Sequence, residues 1–162
     1  MPVGGLTDAE IDALSEVLVA PFWEGSARRE AVEAAGRRAC DMALLLSAMR
    51  AVRRRTKKTG ELIDRDDVVE ALKTILQARK AVYEDLLRNR LSVLQRTVLL
   101  AIATGLKAHA DRAMTAATGI PKGSLTSTLR YGLIRHGWLV KGTDGLSFGD
   151  PFLKCFLSGR FG

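Results

Sequence analysis

Cysteine is nearly missing from these 162 residues: Cys40 and Cys155 stand far apart and form no C-x-x-C pair. That excludes a disulfide scaffold and a zinc ribbon, and predicts a reducing, cytoplasmic setting. Histidine is as scarce. His109 and His136 are distant, and nothing clusters with metal-ligand spacing, so no metal is expected. Aromatic residues make up 6% of the chain, so the core must be mostly aliphatic. No apolar run approaches the roughly 20 residues that cross a bilayer, and the N-terminus lacks the basic start and apolar stretch of a signal peptide. A membrane partner is therefore not expected. The string G-x-x-x-x-G-K-[S/T], whose backbone amides and lysine hold phosphates, is absent, as is any nucleophile–histidine pattern. The chain reads as a non-enzyme without a cofactor. Asp8, Asp12 and Glu16 share one helix face, where carboxylates at such spacing usually only solubilise.

What is present is ordinary for a globular domain: 47% hydrophobic and 27% charged residues. The charge is unevenly spread. Residues 1–49 hold 4 basic and 8 acidic side chains, residues 50–90 hold 12 and 7, and residues 91–162 hold 9 and 3. An acidic head thus precedes a basic body, and a basic body favours a polyanion, most commonly nucleic acid. The competing possibility is that the head folds onto the basic part or onto a partner.

Helix signals dominate. Thr7-x-x-Glu10 is a capping box ahead of an apolar stripe at Ile11, Leu14, Val17 and Leu18. That helix should stop near Pro21, and Pro21–Gly25 reads as a connector with two anchoring aromatics, Phe22 and Trp23. Ser26 caps a second helix closed by Gly36. A third runs from about Cys40 to Arg55, with Met42, Leu45, Leu46 and Met49 at core spacing. Thr56–Gly60 is the most polar break in the chain and reads as a protease-sensitive hinge. Asp64 caps the next helix, which carries Val68, Leu72, Ile75, Leu76, Val82, Leu86 and Leu87 almost to Arg90. Ser92-x-x-Gln95 is a second capping box.

Beyond Gly105 the texture changes. A short helix over residues 111–118 ends at Gly119. Ile120–Gly123 forms a tight turn, and Ser124 caps a helix that ends at Gly137. Trp138–Val140 is the first convincing strand, Thr143-Asp144-Gly145 a hairpin turn, Leu146–Phe148 the return strand, and Asp150-Pro151 the start of a last helix. Helix, short helix, turn, helix and hairpin together spell a winged helix-turn-helix. The helix from Ser124 to His136 is then suited to the major groove of duplex DNA. Leu125, Leu129, Leu133 and His136 share its inward face. Ser127, Arg130 and Tyr131 point outward, with Ser124 at its start, Lys122 in the turn and Lys141 in the wing. These six are the candidate DNA-binding residues. Ile134, near the outward side, hints instead at a protein contact, and Arg130 and Arg135 also fit plain solvated surface. Arg50, Arg53, Arg54, Arg55, Lys57 and Lys58 place six cations in nine residues, a second basic patch suited to phosphate, to an acidic partner, or merely to the negative end of a helix dipole.

Three segments carry a family resemblance. They are Leu91-Ser92-x-x-Gln95-Arg96-x-x-Leu99, Gly119-Ile120-Pro121-Lys122-Gly123-Ser124, and Leu129-x-x-x-Leu133-x-x-x-Gly137-Trp138-Leu139. Together they resemble the winged helix that closes archaeal-type ATPases of the AAA+/STAND class. Asp150-Pro151-Phe152-Leu153-x-x-Phe156-Leu157 is similar to the D-P-x-x-x-x-W-L tail of that family, with Phe156 in place of its usual Trp. Gly5-Leu6-Thr7-x-x-Glu10 resembles the entry into the helical lid that follows the ATPase core. Ala35-Gly36-Arg37-Arg38 sits where such lids carry a G-N-P or G-G-x-P signature, without the Pro. The resemblance implies a lid plus winged helix lacking the ATPase core, with Arg37 and Arg38 as the candidates for an arginine near nucleotide. A surface pair at a helix start is the competing reading for both.

The expected fold is mainly α: a lid-like helical segment over residues 1–60, a connecting helix over 61–90, and a winged helix-turn-helix over 91–162. The expected function is a DNA-binding, non-catalytic regulatory module. The alternative is a protein-interaction module that docks on an ATPase core or self-associates. A third reading is an ATPase whose catalytic half lies outside this chain.

Overall fold

The computed structural model describes residues 4–109, 111–142 and 145–159. The chain is mainly helical with a small antiparallel hairpin, and it divides into two compact units, residues 4–79 and 80–159 among those described. Residues 61–79, the larger part of the expected connecting helix, belong to the first unit. No helix of the described residues is long and apolar enough to cross a membrane.

Unit 1 begins with α1 (Asp8–Leu18). Thr7 caps it in a reciprocal box: the Glu10 N–H donates to Thr7 Oγ1 at 3.2 Å, and the Thr7 N–H donates to Glu10 Oε2 at 2.7 Å. α2 (Ala27–Ala35) meets α3 (Ala39–Arg55) through buried Ala27, Ala31, Ala34 and Ala35, whose short side chains let the helices approach. Met42, Leu45, Leu46 and Met49 of α3 are fully buried, as the spacing predicts, and Ile11 of α1 lies in the same core. α4 (Arg65–Asp85) starts in a second reciprocal box between Asp64 and Asp67, each carboxylate accepting the other residue's N–H.

Three expectations for this unit need correction. Val17 is 80% exposed, because α1 turns Ile11 and Ser15 inward instead. The connector at Phe22–Trp23 is a strand, β1, paired in parallel with β2 (Leu62–Ile63). Trp23 anchors it by donating from its indole nitrogen to Ser15 Oγ at 3.0 Å, whereas Phe22 is exposed. Nor is Thr56–Gly60 a loose hinge. The Arg53 guanidinium donates to the carbonyls of Gly60 and Leu62 at 2.9 and 3.0 Å, and the Thr56 hydroxyl donates to the Val52 carbonyl.

In unit 2, α4 ends in a π-helical segment, Leu86–Arg90, before α5 (Val93–Ala103). α5 opens in the Ser92–Gln95 capping box and packs against α6 (Arg112–Thr118), against the helix that follows α6, and against α8 (Pro151–Ser158). That following helix is α7 (Lys122–Ser127), continued without a break by a π-helical segment, Thr128–Ile134. It begins earlier than the sequence suggests. Lys122, expected in a turn, is its first residue, and Ser124 lies inside it with no capping hydrogen bond. A Cβ on Gly132 would meet the Gln95 amide at 2.8 Å, so glycine permits the close crossing on α5.

Leu125, Leu129 and Leu133 are buried as expected, but His136 is exposed. The wider π turn keeps side chains spaced by four on one face and rotates those that follow away from it. β3 (Leu139–Gly142) and β4 (Gly145–Phe148) pair in register Leu139↔Phe148 through Gly142↔Gly145. The turn residues Thr143 and Asp144 lie outside the described residues. Asp150 caps α8 by accepting from the Phe152 and Leu153 N–H groups, and it also accepts the Tyr83 hydroxyl at 2.7 Å. Tyr83, unremarked in the sequence, is buried with its ring 5.2 Å from that of Phe156.

Candidate nucleic-acid interface

All six candidate residues of unit 2 are exposed. Lys122, Ser124 and Ser127 stand on α7, Arg130 and Tyr131 on its π continuation, and Lys141 on β3. The three leucines fix the phase. With Leu125, Leu129 and Leu133 packed inward, Ser124, Ser127, Arg130 and Tyr131 face away from the core, and Tyr131 is left 59% exposed. Lys141 sits beyond Leu139, the last buried residue of its strand, opposite Leu146. Ile134 is half-buried, which removes the exposed apolar residue the sequence suggested there.

The electrostatics of this surface are one-sided. From Val93 to Gly142 the only carboxylate is Asp111, and it caps α6 by accepting the Met114 N–H at 2.9 Å. Seven cations share that stretch: Arg96, Lys107, Arg112, Lys122, Arg130, Arg135 and Lys141. Among the described residues none of Lys122, Arg130 or Lys141 has a carboxylate partner. Sequence reasoning passed over two members of this surface. Arg112 is exposed in the first turn of α6, and Thr126 is exposed on α7 with its hydroxyl donating to the Lys122 carbonyl. Only their place beside Asp111 and Ser127 could have flagged them.

The second basic patch does not survive as a set of six. The side chain of Arg53 is 7% exposed and pairs with Asp67, itself 2% exposed, at 3.2 Å. Lys58 reaches Asp64 at 2.6 Å and Asp67 at 3.1 Å. Burial alone would lower the Lys58 pKa, but the two carboxylates outweigh it and hold the ammonium above its usual value. Asp64 is held below the usual carboxylate range in the same way, its partial burial outweighed by Lys58 and by the Asp67 N–H. These two cations are structural. Arg50, Arg54, Arg55 and Lys57 remain exposed.

Arg37 and Arg38 are engaged too. Arg37 binds Asp8 at 2.8 Å and the Leu6 carbonyl at 2.9 Å, and Arg38 binds Asp41 at 2.6 Å. The Arg37 hydrogen bond lowers the Asp8 pKa. Asp12 pairs with Arg28 at 2.7 Å, so two of the three acids on that face of α1, Asp8 and Asp12, are paired within their own unit, and Glu16 is exposed. Among the described residues, no group of three or more His, Cys, Asp or Glu gathers where a metal ion could be held. Comparison with known proteins finds no family model, no curated protein and no solved structure that matches this chain.

Proposed function

We propose that this chain is a non-catalytic regulatory module that binds duplex DNA through a winged helix-turn-helix in unit 2. In this reading α6 braces α7, the outward side of α7 and its π continuation enters the major groove, and the β3–β4 hairpin is the wing. Arg130, Lys122 and Lys141 take phosphates, which position the module. Ser124, Ser127 and Tyr131 face base edges, which specify sequence. The observation that carries it is the row of exposed cations around α7, Lys122, Arg130 and Lys141, none of which has a carboxylate partner among the described residues. The resemblance to the C-terminal part of AAA+/STAND ATPases supports the same assignment of elements, and with no phosphate-binding loop in the sequence we assign this chain no ATP hydrolysis.

A second reading, a protein-interaction module that docks on an ATPase core or self-associates, draws on α5, where Val93, Leu94 and Leu100 are exposed around a half-buried Arg96. Titration against random duplex and single-stranded DNA at two salt concentrations separates the readings. Phosphate binding weakens steeply with salt, by about 0.9 in log–log slope for each phosphate neutralised on a duplex, and apolar docking does not. The double variant Arg130→Ala/Lys141→Ala is expected to lose duplex affinity and lower the slope, while reversal of Arg54 and Arg55 leaves both unchanged. If only the Arg54/Arg55 variant loses DNA, the binding surface is in unit 1. If the parent chain never binds, the protein-interaction reading takes over.

A further inference from the structure

We infer that unit 1 carries a separate docking groove for an extended acidic peptide whose carboxylates alternate with aliphatic side chains. An open groove of about 540 Å³ lies between the end of α1 and the end of α3. One wall is apolar, Val17, Leu18 and Val19; the other is cationic, Arg50, Arg54 and Lys57, and no carboxylate lines either.

Most of the other cations in this unit are paired with carboxylates. Residues 4–79 hold 13 basic and 13 acidic side chains, and ion pairs tie Arg28, Arg37, Arg38, Arg53, Lys58, Arg65 and Lys73 to carboxylates. Arg50, Arg54 and Lys57 have no such partner among the described residues, although Asp64 and Asp67 are close enough to take their neighbours Arg53 and Lys58. Arg50 and Arg54 are one turn apart, a like-charge spacing that costs a helix stability. A helix-dipole role accounts for Arg53, Arg54 and Arg55 in the last turn of α3 but not for Arg50, which precedes it. Lys57, at φ +55°, takes the left-handed position of the cap that closes α3, with the Lys58 N–H donating to the Arg53 carbonyl at 2.9 Å, and this turn sets the Lys57 side chain beside Arg54 on the groove wall.

The shape and lining select the occupant. A single nucleic-acid strand is gripped by aromatic side chains on which bases stack, and no aromatic side chain lines this groove. An extended peptide points successive side chains to opposite sides. Alternating acidic and aliphatic residues therefore present carboxylates to Arg50, Arg54 and Lys57, and methyl groups to Val17, left 80% exposed on the opposite wall. Arginine clusters recognise acidic motifs in this manner, and charge-assisted bonds supply the specificity.

The test titrates the full chain with labelled synthetic peptides, read by fluorescence anisotropy. Four probes are used: alternating Asp–Leu, its Asn–Leu and Asp–Ser counterparts, and a single-stranded oligonucleotide. The Asp–Leu peptide is expected to bind, with both counterparts at least about tenfold weaker. Arg50→Glu with Arg54→Glu is expected to weaken it by about tenfold or more, and Val17→Ser by about fivefold, each with unchanged circular dichroism because all three side chains are exposed. The proposal is overturned if the Asp–Leu peptide fails to bind, if the double variant binds it as well as the parent does, or if the Asp–Ser peptide binds equally. It is also overturned if the oligonucleotide binds more tightly through Arg50 and Arg54, which would make nucleic acid the occupant.

Discussion

The two units handle charge in opposite ways. Unit 1 balances 13 basic against 13 acidic side chains and locks most of them in pairs, one of them, Arg53 with Asp67, almost fully buried. Residues 80–159 hold 11 basic and 5 acidic side chains. There Asp111 and Asp150 go to helix caps and Asp85 to Arg90, and among the described residues Lys122, Arg130 and Lys141 have no carboxylate partner. The contrast separates two uses of arginine that composition cannot distinguish. Breaking a pair in unit 1 should cost stability, whereas removing a cation from unit 2 should cost binding alone.

The largest expected effect is at Arg53. Arg53→Ala leaves Asp67 with Lys58 as its one remaining ion-pair partner among the described residues and frees the carbonyls of Gly60 and Leu62, a loss of about 2–3 kcal/mol. In a Trp138→Phe background Trp23 is the sole indole and reports unit 1 during denaturant unfolding. A shift under about 1 kcal/mol would break the comparison, since surface pairs already contribute that much. Limited proteolysis sharpens it: the parent should resist cleavage at Thr56–Gly60, and the Arg53→Ala chain should be cut there.

Next comes Gly149→Ala, a change confined to unit 2. The added methyl would run into the Gly137 carbonyl, forcing backbone to move at a cost of about 1–3 kcal/mol. Trp138 fluorescence should register it. An unchanged midpoint would show that the junction between α7 and the hairpin yields easily.

Acid should also separate the units. Folding holds Asp8, Glu10 and Asp64 below their usual pKa values. The main causes are the Arg37 hydrogen bond for Asp8, the Thr7 N–H for Glu10 and, against an opposing burial effect, the Lys58 ammonium for Asp64. Lowered carboxylates contribute stability that is present above the unfolded values and lost as pH falls through the folded ones, so the window lies below about pH 4. Lys58 is raised, and its contribution is lost only as pH climbs past about 10. In the Trp138→Phe chain the Trp23 transition on acidification should precede the loss of whole-chain ellipticity. Coincident transitions would mean that the paired charges do not set unit 1 apart.

The smallest effect on stability is expected from Arg130→Ala with Lys141→Ala, within about 0.5 kcal/mol of the parent by denaturant unfolding. A large loss there would mean that these exposed cations serve the fold after all.

Much of this architecture is written locally. Thr7 with Glu10, Ser92 with Gln95, and Asp150 before Pro151 announce helix starts within three or four residues, and Leu125, Leu129 and Leu133 announce a buried face. What escaped the sequence depends on partners distant along the chain. Phe22–Trp23 becomes a strand only because Leu62–Ile63 lies beside it. Arg53 looks like its exposed neighbours until Asp67, fourteen residues on, folds over it. His136 was misplaced for a different reason: an α-helical wheel assumes one period, and the π-helical segment departs from it. The candidate interface was legible as residue types on an outward face. Its scarcity of carboxylates could also be counted in the sequence, but that Asp111 and Asp150 are committed to helix caps could not.

The bond from Tyr83 to Asp150 ties the beginning of unit 2 to its final helix. Asp150 therefore serves two segments at once, capping α8 and holding the Tyr83 side chain, so a single change at Asp150 loosens both the first and the last helical segments of the unit.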